Sequence, residues 1–301
     1  MIDITLRKLR YFDALARTGH FGRAAEACAV SQPALSVQIK ELEEMLAAPL
    51  FERGPRHLRL TRFGQEFLRR ARDILRAVDD LEQLARTTQS RLIGQLRIGV
   101  IPTIAPYLLP RIIPGLSAQF PEAELHVRET QTSVLIKELE EGRIDMAILA
   151  LPISNPAFAE LALFDESFVL VRPEQDAENP VPDRDRLREM RLLLLEEGHC
   201  FRDQALSFCN LPANPHARPQ SELREMLDGS SLATLVQMVG AGIGVTLIPE
   251  MAVPVETGSA PVSIARFQDP QPTRTIGMIW RKSSPLGPQF QEIADIVKAC
   301  A

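Results

Sequence analysis

The chain has 301 residues, enough for two or three domains with a core each, and its 34 Lys+Arg against 39 Asp+Glu give a net charge of −5. No 18-residue apolar stretch suggests a membrane span, so no membrane partner is expected, and Met1-Ile2-Asp3-Ile4-Thr5 lacks the charged and apolar regions of a secretory signal. Four cysteines without such a signal do not make a secreted disulfide scaffold, which points to the cytoplasm.

The charge is unevenly spread. Residues 1–92 hold 16 basic and 12 acidic side chains, a net of +4, which leaves −9 for the remainder. A basic excess confined to the amino-terminal end is compatible with nucleic-acid binding there.

In that end, Leu6, Leu9, Phe12 and Ala16 keep a helical period that stops at Thr18-Gly19. A short alanine-rich helix over 21–27 follows, and Ala29-Val30 turns into Ser31-Gln32-Pro33. Ser31 suits an N-cap, and a proline is tolerated in a first helical turn. Ala34, Leu35, Ile39, Leu42 and Leu46 give the third helix its apolar face. Two short helices joined by a small-residue turn predict a helix-turn-helix whose second helix enters a major groove. Residues 53–62 add four arginines, no acid and a Gly54-Pro55 turn, the composition of a wing that meets phosphates. Candidate DNA contacts are Ser31, Gln32, Pro33, Ser36, Gln38, Lys40, Arg53 and Arg56. The alternative is a small helical domain with an ordinary charged surface.

Residues 63–92 contain no proline and read as one long helix. Phe67, Ala71, Ile74, Val78, Leu81 and Ala85 repeat with heptad spacing. Such a stripe pairs with its copy in a homodimer or packs on its own domain.

From Gly94 strands alternate with helices: strand Gln95–Val100, helix Leu108–Phe120, strand Leu125–Glu129, a helix from Thr132 to Gly142, and strand Ile144–Leu149. Alternation predicts a parallel sheet with ligands at the carboxyl ends of its strands. Thr103 and Thr132 lie at two such ends, either as helix caps or as the polar floor of a small site. Phe168–Arg172 reads as a crossing strand into a second lobe, Arg274–Trp280 as a strand returning to the first, and 288–297 as a closing helix. Two lobes joined by crossing strands enclose a hinged cleft.

The second lobe carries Gly198-His199-Cys200-Phe201-Arg202-Asp203-Gln204-Ala205-Leu206-Ser207-Phe208-Cys209. A leucine run, 192–195, suits a buried strand before it, and Asp203–Leu206 favours helix, so Cys200 falls at a helix N-terminus. The helix dipole and Arg202 would favour its thiolate, the reactive species, while Asp203 would hold Arg202 or help cap the helix. Cys209, beside Phe208, reads as more buried. Nine helical residues separate the two Cα atoms by about 13 Å, and a disulfide needs about 5.5–6 Å. Pairing them therefore requires the helix to unwind. Two unrelated cysteines are the plainer alternative. Cys28 reads as a small core residue, and Cys300 as incidental.

Ala24-Ala25, Val30-Ser31-Gln32-Pro33-Ala34-Leu35-Ser36, Leu50-Phe51-Glu52-Arg53 and Leu60-Thr61 together resemble the LysR-type transcriptional regulators. Gly198-His199-Cys200 with Arg202-Asp203-Gln204-Ala205 and Phe208-Cys209, Ile101-Pro102-Thr103, Pro106–Pro110 and Arg274-Thr275-Ile276-Gly277 resemble the peroxide-sensing members of that family. The resemblance implies a multi-domain α/β chain. A winged helix-turn-helix (1–62) leads through a linker and dimerisation helix (63–92) to a two-lobed, periplasmic-binding-protein-like regulatory domain (93–301). Its first lobe takes about 93–167 and 270–301, and its second about 168–269.

By the same resemblance Cys200 is the peroxidatic cysteine and Cys209 the resolving one, with Thr103, Thr132, His199 and Arg274 lining a peroxide site supported by Asp203. Its implied partners are promoter DNA, hydrogen peroxide, a second subunit, a tetramer, RNA polymerase, and glutaredoxin with glutathione, or thioredoxin, as reductant. It implies no metal, no cofactor and no enzyme. Two features depart from the pattern: Val37 stands where many family members carry a basic residue, and 210–230 is longer and holds Pro212, Pro215 and Pro219. Two other functions stay open, a LysR-type response to a small organic effector in the cleft and a thiol peroxidase.

Overall fold

A computed structural model describes residues 4–53, 58–87, 94–209 and 227–300. The expected wing turn at 54–57, Arg56 with it, the linker end at 88–93 and the proline-bearing segment at 210–226 lie outside the described residues, as does the side chain of Arg53. The chain divides into two compact units, 1–85 and 86–301.

The first unit opens with α1 (Leu6–Thr18), α2 (Phe21–Ala27) and α3 (Gln32–Leu46). Their starts are set by side chains that satisfy the free amides of a first turn. Thr5 Oγ1 accepts from Lys8 N, His20 Nδ1 from Gly22 N, and Ser31 Oγ from Ala34 N. Gly19 ends α1 at φ +61, where a side chain is costly. Phe12, Leu15, Leu35, Leu42 and Leu50 are fully buried between the helices. The short antiparallel pair β1 (Phe51–Arg53) and β2 (Leu58–Leu60) flanks the wing, and α4 (Arg62–Thr87) follows. A Cβ at Gly64 in its first turn would stand 2.1 Å from the Leu50 carbonyl oxygen, so the close approach of helix and strand requires glycine. Phe67 and Ala71 pack on this core and Arg72 meets Asp13 at 2.7 Å, whereas Ile74 and Leu81 on the same stripe are exposed.

The second unit contains β3 (Gly94–Val100), α5 (Ala105–Gln119), β4 (Ala123–Glu129), α6 (Thr132–Glu140), β5 (Met146–Leu151), β6 (Phe158–Pro173), α7 (Arg184–Glu189), β7 (Leu192–Leu195), α8 (Cys200–Phe208) and β8 (Leu227–Gly229). It continues with α9 (Leu232–Gly240), β9 (Val245–Pro249), α10 (Val253–Glu256), β10 (Val262–Arg266), β11 (Thr273–Arg281) and α11 (Gly287–Cys300). The strand order is β4-β3-β5-β11-β6-β9-β7-β8, with β10 also on β6. β3 pairs in parallel with β4 and β5, and β7 with β8 and β9, giving each lobe a parallel core. β6 serves both lobes: Phe158–Ser167 pairs with β11, and 168–173 pairs with β9 and β10.

Three boundaries differ from the sequence reading for identifiable reasons. α5 starts at Ala105 rather than Leu108, because Pro106 sits in the first turn where its missing amide has no helical partner to lose. β5 starts at Met146 rather than Ile144, because Asp145 turns back on β3, its amide donating to the Arg97 carbonyl at 2.8 Å and its carboxylate accepting from Arg97 N and guanidinium. β6 begins ten residues before Phe168, since Glu160 and Glu166, which interrupt the apolar pattern, are paired: Glu160 accepts from Ile153 N and Ser154 N, and Glu166 from Arg274.

Candidate redox site

The four leucines of β7 are buried, and the chain leaves them through Glu196, Glu197 and Gly198 into α8. Gly198 has φ +95, a conformation that favours glycine, and a Cβ there would push aside the end of the Gln131 side chain, whose Oε1 would stand 2.5 Å away. His199 is the N-cap and Cys200 the first helical residue. Phe201, Arg202, Ala205, Leu206 and Cys209 form the buried side of α8, while Asp203 and Ser207 are exposed.

Cys200 is half-buried and packs against the core of the first lobe, whereas Cys209 is wholly buried in the core of the second. Both carry free thiols. Burial pushes the Cys209 thiol up to about 11, with the Arg184 guanidinium opposing in part. Burial lowers His199 from its ordinary value, against a small pull from Glu196, so its imidazole is neutral near pH 7.

Around Cys200 a cleft of about 170 Å³, counting space open to solvent, is lined by Ile101, Pro102, Thr103, Gln131, Thr132, His199, Cys200 and Phe201. It draws on the carboxyl end of β3, the start of α6 and the start of α8, the positions where an α/β sheet presents ligands. Neither threonine acts as a helix cap. Among the described residues Thr132 Oγ1 is buried without a hydrogen-bond partner, and the Gln204 Oε1 atom, one helical turn after Cys200, is in the same condition. A buried hydroxyl left unpaired is costly unless something small completes it. In this closed arrangement the cleft has essentially no room for a water molecule, far below the roughly 300–1,000 Å³ of pockets that hold organic ligands.

Thr103 is held from behind. Arg274 Nη1 donates to Thr103 Oγ1 at 2.8 Å and Nη2 to its carbonyl at 2.9 Å, while Nε donates to Glu166 Oε2 at 2.7 Å. The Arg274 guanidinium lies 5.2 Å over the Phe201 ring. Arg274 thus reaches the cleft through Thr103 and is not itself in the lining. Gln131 Nε2 donates to the Glu197 carbonyl at 3.3 Å, a tie from the first lobe to the turn before Cys200.

The structure brings Thr103, Thr132, His199 and Cys200 together, with Arg274 one bond behind. It does not bring Asp203 there: that carboxylate is on the solvent side of α8 and makes no hydrogen bond or ion pair among the described residues. Arg202, expected beside the thiolate, is buried and donates to the Leu195 carbonyl at 2.6 Å, so it fastens α8 to β7. Sequence reasoning missed Gln131, Phe201, Gln204 and Glu166. Only Gln204, four residues from Cys200 on a predicted helix, had a local signal.

On α3, Gln32, Pro33, Ser36 and Lys40 are exposed, and Ser31 is exposed while capping the helix. Val37 is 53% exposed among them. Gln38 is half-buried and donates to Glu41 at 3.0 Å, and Lys40 lies 3.5 Å from Glu44. Among the described residues no cluster of three or more His, Cys, Asp or Glu could hold a metal ion, and no helix is long and apolar enough to cross a membrane.

The model of the LysR substrate binding domain matches residues 89–301, and that of the bacterial regulatory helix-turn-helix protein, lysR family, matches residues 6–65. The chain belongs to the LysR family. Among LysR proteins it is similar to the DNA-binding transcriptional dual regulator OxyR of Escherichia coli K12, 41% identical over 299 residues that cover 98% of this chain and 95% of the relative. It is also 41% identical over 300 residues to the hydrogen peroxide-inducible genes activator of Dickeya chrysanthemi, covering 98% and 95%. A full-length OxyR of Pseudomonas aeruginosa with a cysteine-to-aspartate substitution superposes with a TM-score of 0.78 at 35% identity, covering 99% of this chain and 96% of that one. A hydrogen-peroxide-bound cysteine-to-serine mutant of Corynebacterium glutamicum OxyR gives 0.66 at 34% identity, covering 98% and 92%.

Proposed function

We propose that this LysR-family chain is a DNA-binding transcriptional regulator that senses hydrogen peroxide through Cys200. One observation carries the reading: a half-buried thiol at a helix N-terminus shares a cleft, too small for an organic ligand, with a buried Thr132 hydroxyl that has no partner among the described residues. The Cys200 thiolate attacks one oxygen, the O–O bond breaks, and the other oxygen leaves as hydroxide and becomes water, leaving a sulfenic acid. Cys209 then attacks that sulfur and displaces water, giving a disulfide; the peroxide has been reduced by two electrons at the expense of two thiols. A dithiol or glutathione-dependent reductant, of the thioredoxin or glutaredoxin class, returns the pair to thiols.

The reading assigns Thr103, Thr132 and His199 to the peroxide, Arg274 to Thr103, and the exposed start of α3 with Arg53 and Arg56 to promoter DNA. Residues 1–62 serve as the reading head, 63–92 as the linker through which two copies pair, and 93–301 as the sensor, in a tetramer that works with RNA polymerase in the cytoplasm. The exposed Ile74 and Leu81 of α4 support the pairing. Asp203, exposed on the solvent side of α8, is given no direct contact with peroxide in this reading. One equivalent of peroxide consumed per Cys200 distinguishes a sensor from a thiol peroxidase, which would turn over steadily with a thiol reductant.

The test is a promoter footprint with and without peroxide, for the parent chain and Cys200→Ser. A footprint that changes in the parent and not in the variant supports the reading. An unchanged parent footprint overturns it.

A second reading rests on a larger space. A space of about 600 Å³ lies beside Pro180, Pro182, Arg184, Phe208 and Phe267 in the second lobe, enough for an organic effector. Thermal stabilisation by a metabolite, with no effect of peroxide on DNA binding, would favour it.

A further inference from the structure

Glu166 is a buried carboxylate to which the chemistry above assigns no task. It stands on β6 directly opposite Arg274 on β11 in the antiparallel register, so the two side chains are a cross-strand pair at the strand shared by both lobes. The Arg274 side chain is fully buried and that of Glu166 is 5% exposed. A buried guanidinium under an aromatic face needs a counter-charge, and without one it would leave its place or draw in water.

The division of bonds is specific. Glu166 Oε2 accepts from Nε of Arg274 at 2.7 Å and lies equally close to Nη2 in the ion pair, which sets the orientation of the guanidinium. The same group then grips Thr103 at its carbonyl and its hydroxyl oxygen. Because Nη1 donates to Thr103 Oγ1, one of that oxygen's two lone pairs is taken, and the hydroxyl proton remains to be offered to whatever occupies the cleft. The other Glu166 oxygen, Oε1, accepts from the Met251 amide at 3.2 Å. Met251 packs against the cores of both lobes. Burial raises Glu166 from the ordinary carboxylate range while Arg274 pulls it back, as expected of a charge held inside the protein for a partner.

We propose that Glu166 is a positioning residue for the reaction at Cys200: through Arg274 it makes Thr103 a hydrogen-bond donor to the peroxide oxygen that leaves, and through Met251 it ties that donor to the second lobe. The inference rests on the reading that Cys200 reacts with peroxide. In the step itself the sulfur–oxygen bond forms as the O–O bond breaks, negative charge collects on the leaving oxygen, and the Thr103 hydroxyl donates a hydrogen bond to it without giving up its proton. A donor placed where charge develops is worth about ten- to a thousandfold in rate.

The experiment compares two reactions of the reduced full-length chain. Consumption of stoichiometric hydrogen peroxide reads the first chemical step. Alkylation of Cys200 by iodoacetamide uses the same sulfur but releases iodide, which needs no donor. Glu166→Gln is expected to slow peroxide consumption at least about tenfold, with alkylation within about twofold of the parent. Glu166→Asp restores part of the peroxide rate. Thr103→Val alone should give a similar loss, and Glu166→Gln added to it no further loss, because both act through one bond. Thermal unfolding identifies any variant that fails to fold; should Glu166→Gln be one, Glu166→Asp and Thr103→Val carry the comparison. Peroxide consumption within twofold of the parent, equal slowing of both reactions, or losses that multiply in the double variant overturn the inference. A parent chain that does not consume peroxide overturns the reading beneath it, and the parent alone reveals that case.

Discussion

The two ends of α8 hold chemically identical side chains in opposite surroundings. Cys200 starts the helix, is half-buried, and leans on the first lobe at the edge of a narrow cleft. Cys209 ends it, is sealed in the core of the second lobe beside Phe208, and is pushed up to about 11 by burial. The first thiol is therefore placed to meet a solute, and the second is kept protonated and out of reach until its surroundings open. With the Cα atoms about 13 Å apart along an intact helix, the same covalent step that joins them must dismantle α8 and withdraw one residue from a core.

The strongest way to break this asymmetry is to remove one thiol at a time. Cys200→Ser should abolish the peroxide response of the chain, a loss of more than about a thousandfold in oxidation rate. Cys209→Ser should still form a sulfenic acid at Cys200, trapped by dimedone, with no disulfide. Sulfenic acid forming at Cys209 in Cys200→Ser at the parent rate would reverse the assignment.

Alkaline pH sharpens the contrast from the other end. Folding raises the Cys209 thiol from an ordinary value of 9.0 to about 11, so folding favours the protonated form. Its stabilising contribution is whole below pH 9 and disappears as pH rises through about 11, up to about 2–3 kcal/mol. The stability difference between the parent and Cys209→Ala, measured by denaturant titration, should shrink over that window. A constant difference would mean that the thiol is already hydrated.

Gly198→Ala should disturb the Cys200 end alone. The positive φ costs about 1–3 kcal/mol, and relieving it displaces the turn that carries His199. Peroxide oxidation of Cys200 should slow several-fold, while alkylation of Cys209 in denaturant is untouched. Phe208→Leu gives the smallest effect. It removes the edge-to-face contact with Phe267 at 5.0 Å and the Arg184 guanidinium 4.8 Å over the ring, which loosens the far end. Disulfide closure after sulfenic acid formation should quicken by a few-fold, read by quenched-flow mapping.

Much of this arrangement follows from short-range chemistry. Thr18-Gly19, Ser31 and the start of α8 at Cys200 are signalled by capping and propensity, which act within one helical turn. The cleft was partly legible, since Thr103 and Thr132 close successive strand-to-helix links. Glu166 was not, because its significance comes from Arg274, 108 positions later in the chain. For the same reason the first ten residues of β6 were hidden: Glu160, Asp165 and Glu166 look like breaks until their cross-strand partners are known. Arg202 has a task that neighbours in sequence do not signal, since its guanidinium donates to the Leu195 carbonyl seven residues back.

The most direct test couples mapping of the cysteines to backbone protection after a brief, stoichiometric peroxide pulse. A single Cys200–Cys209 disulfide, accompanied by loss of slow hydrogen exchange across residues 200–208, is the expected result. A disulfide that forms while those amides stay protected, or oxidation that never joins the pair, would contradict it.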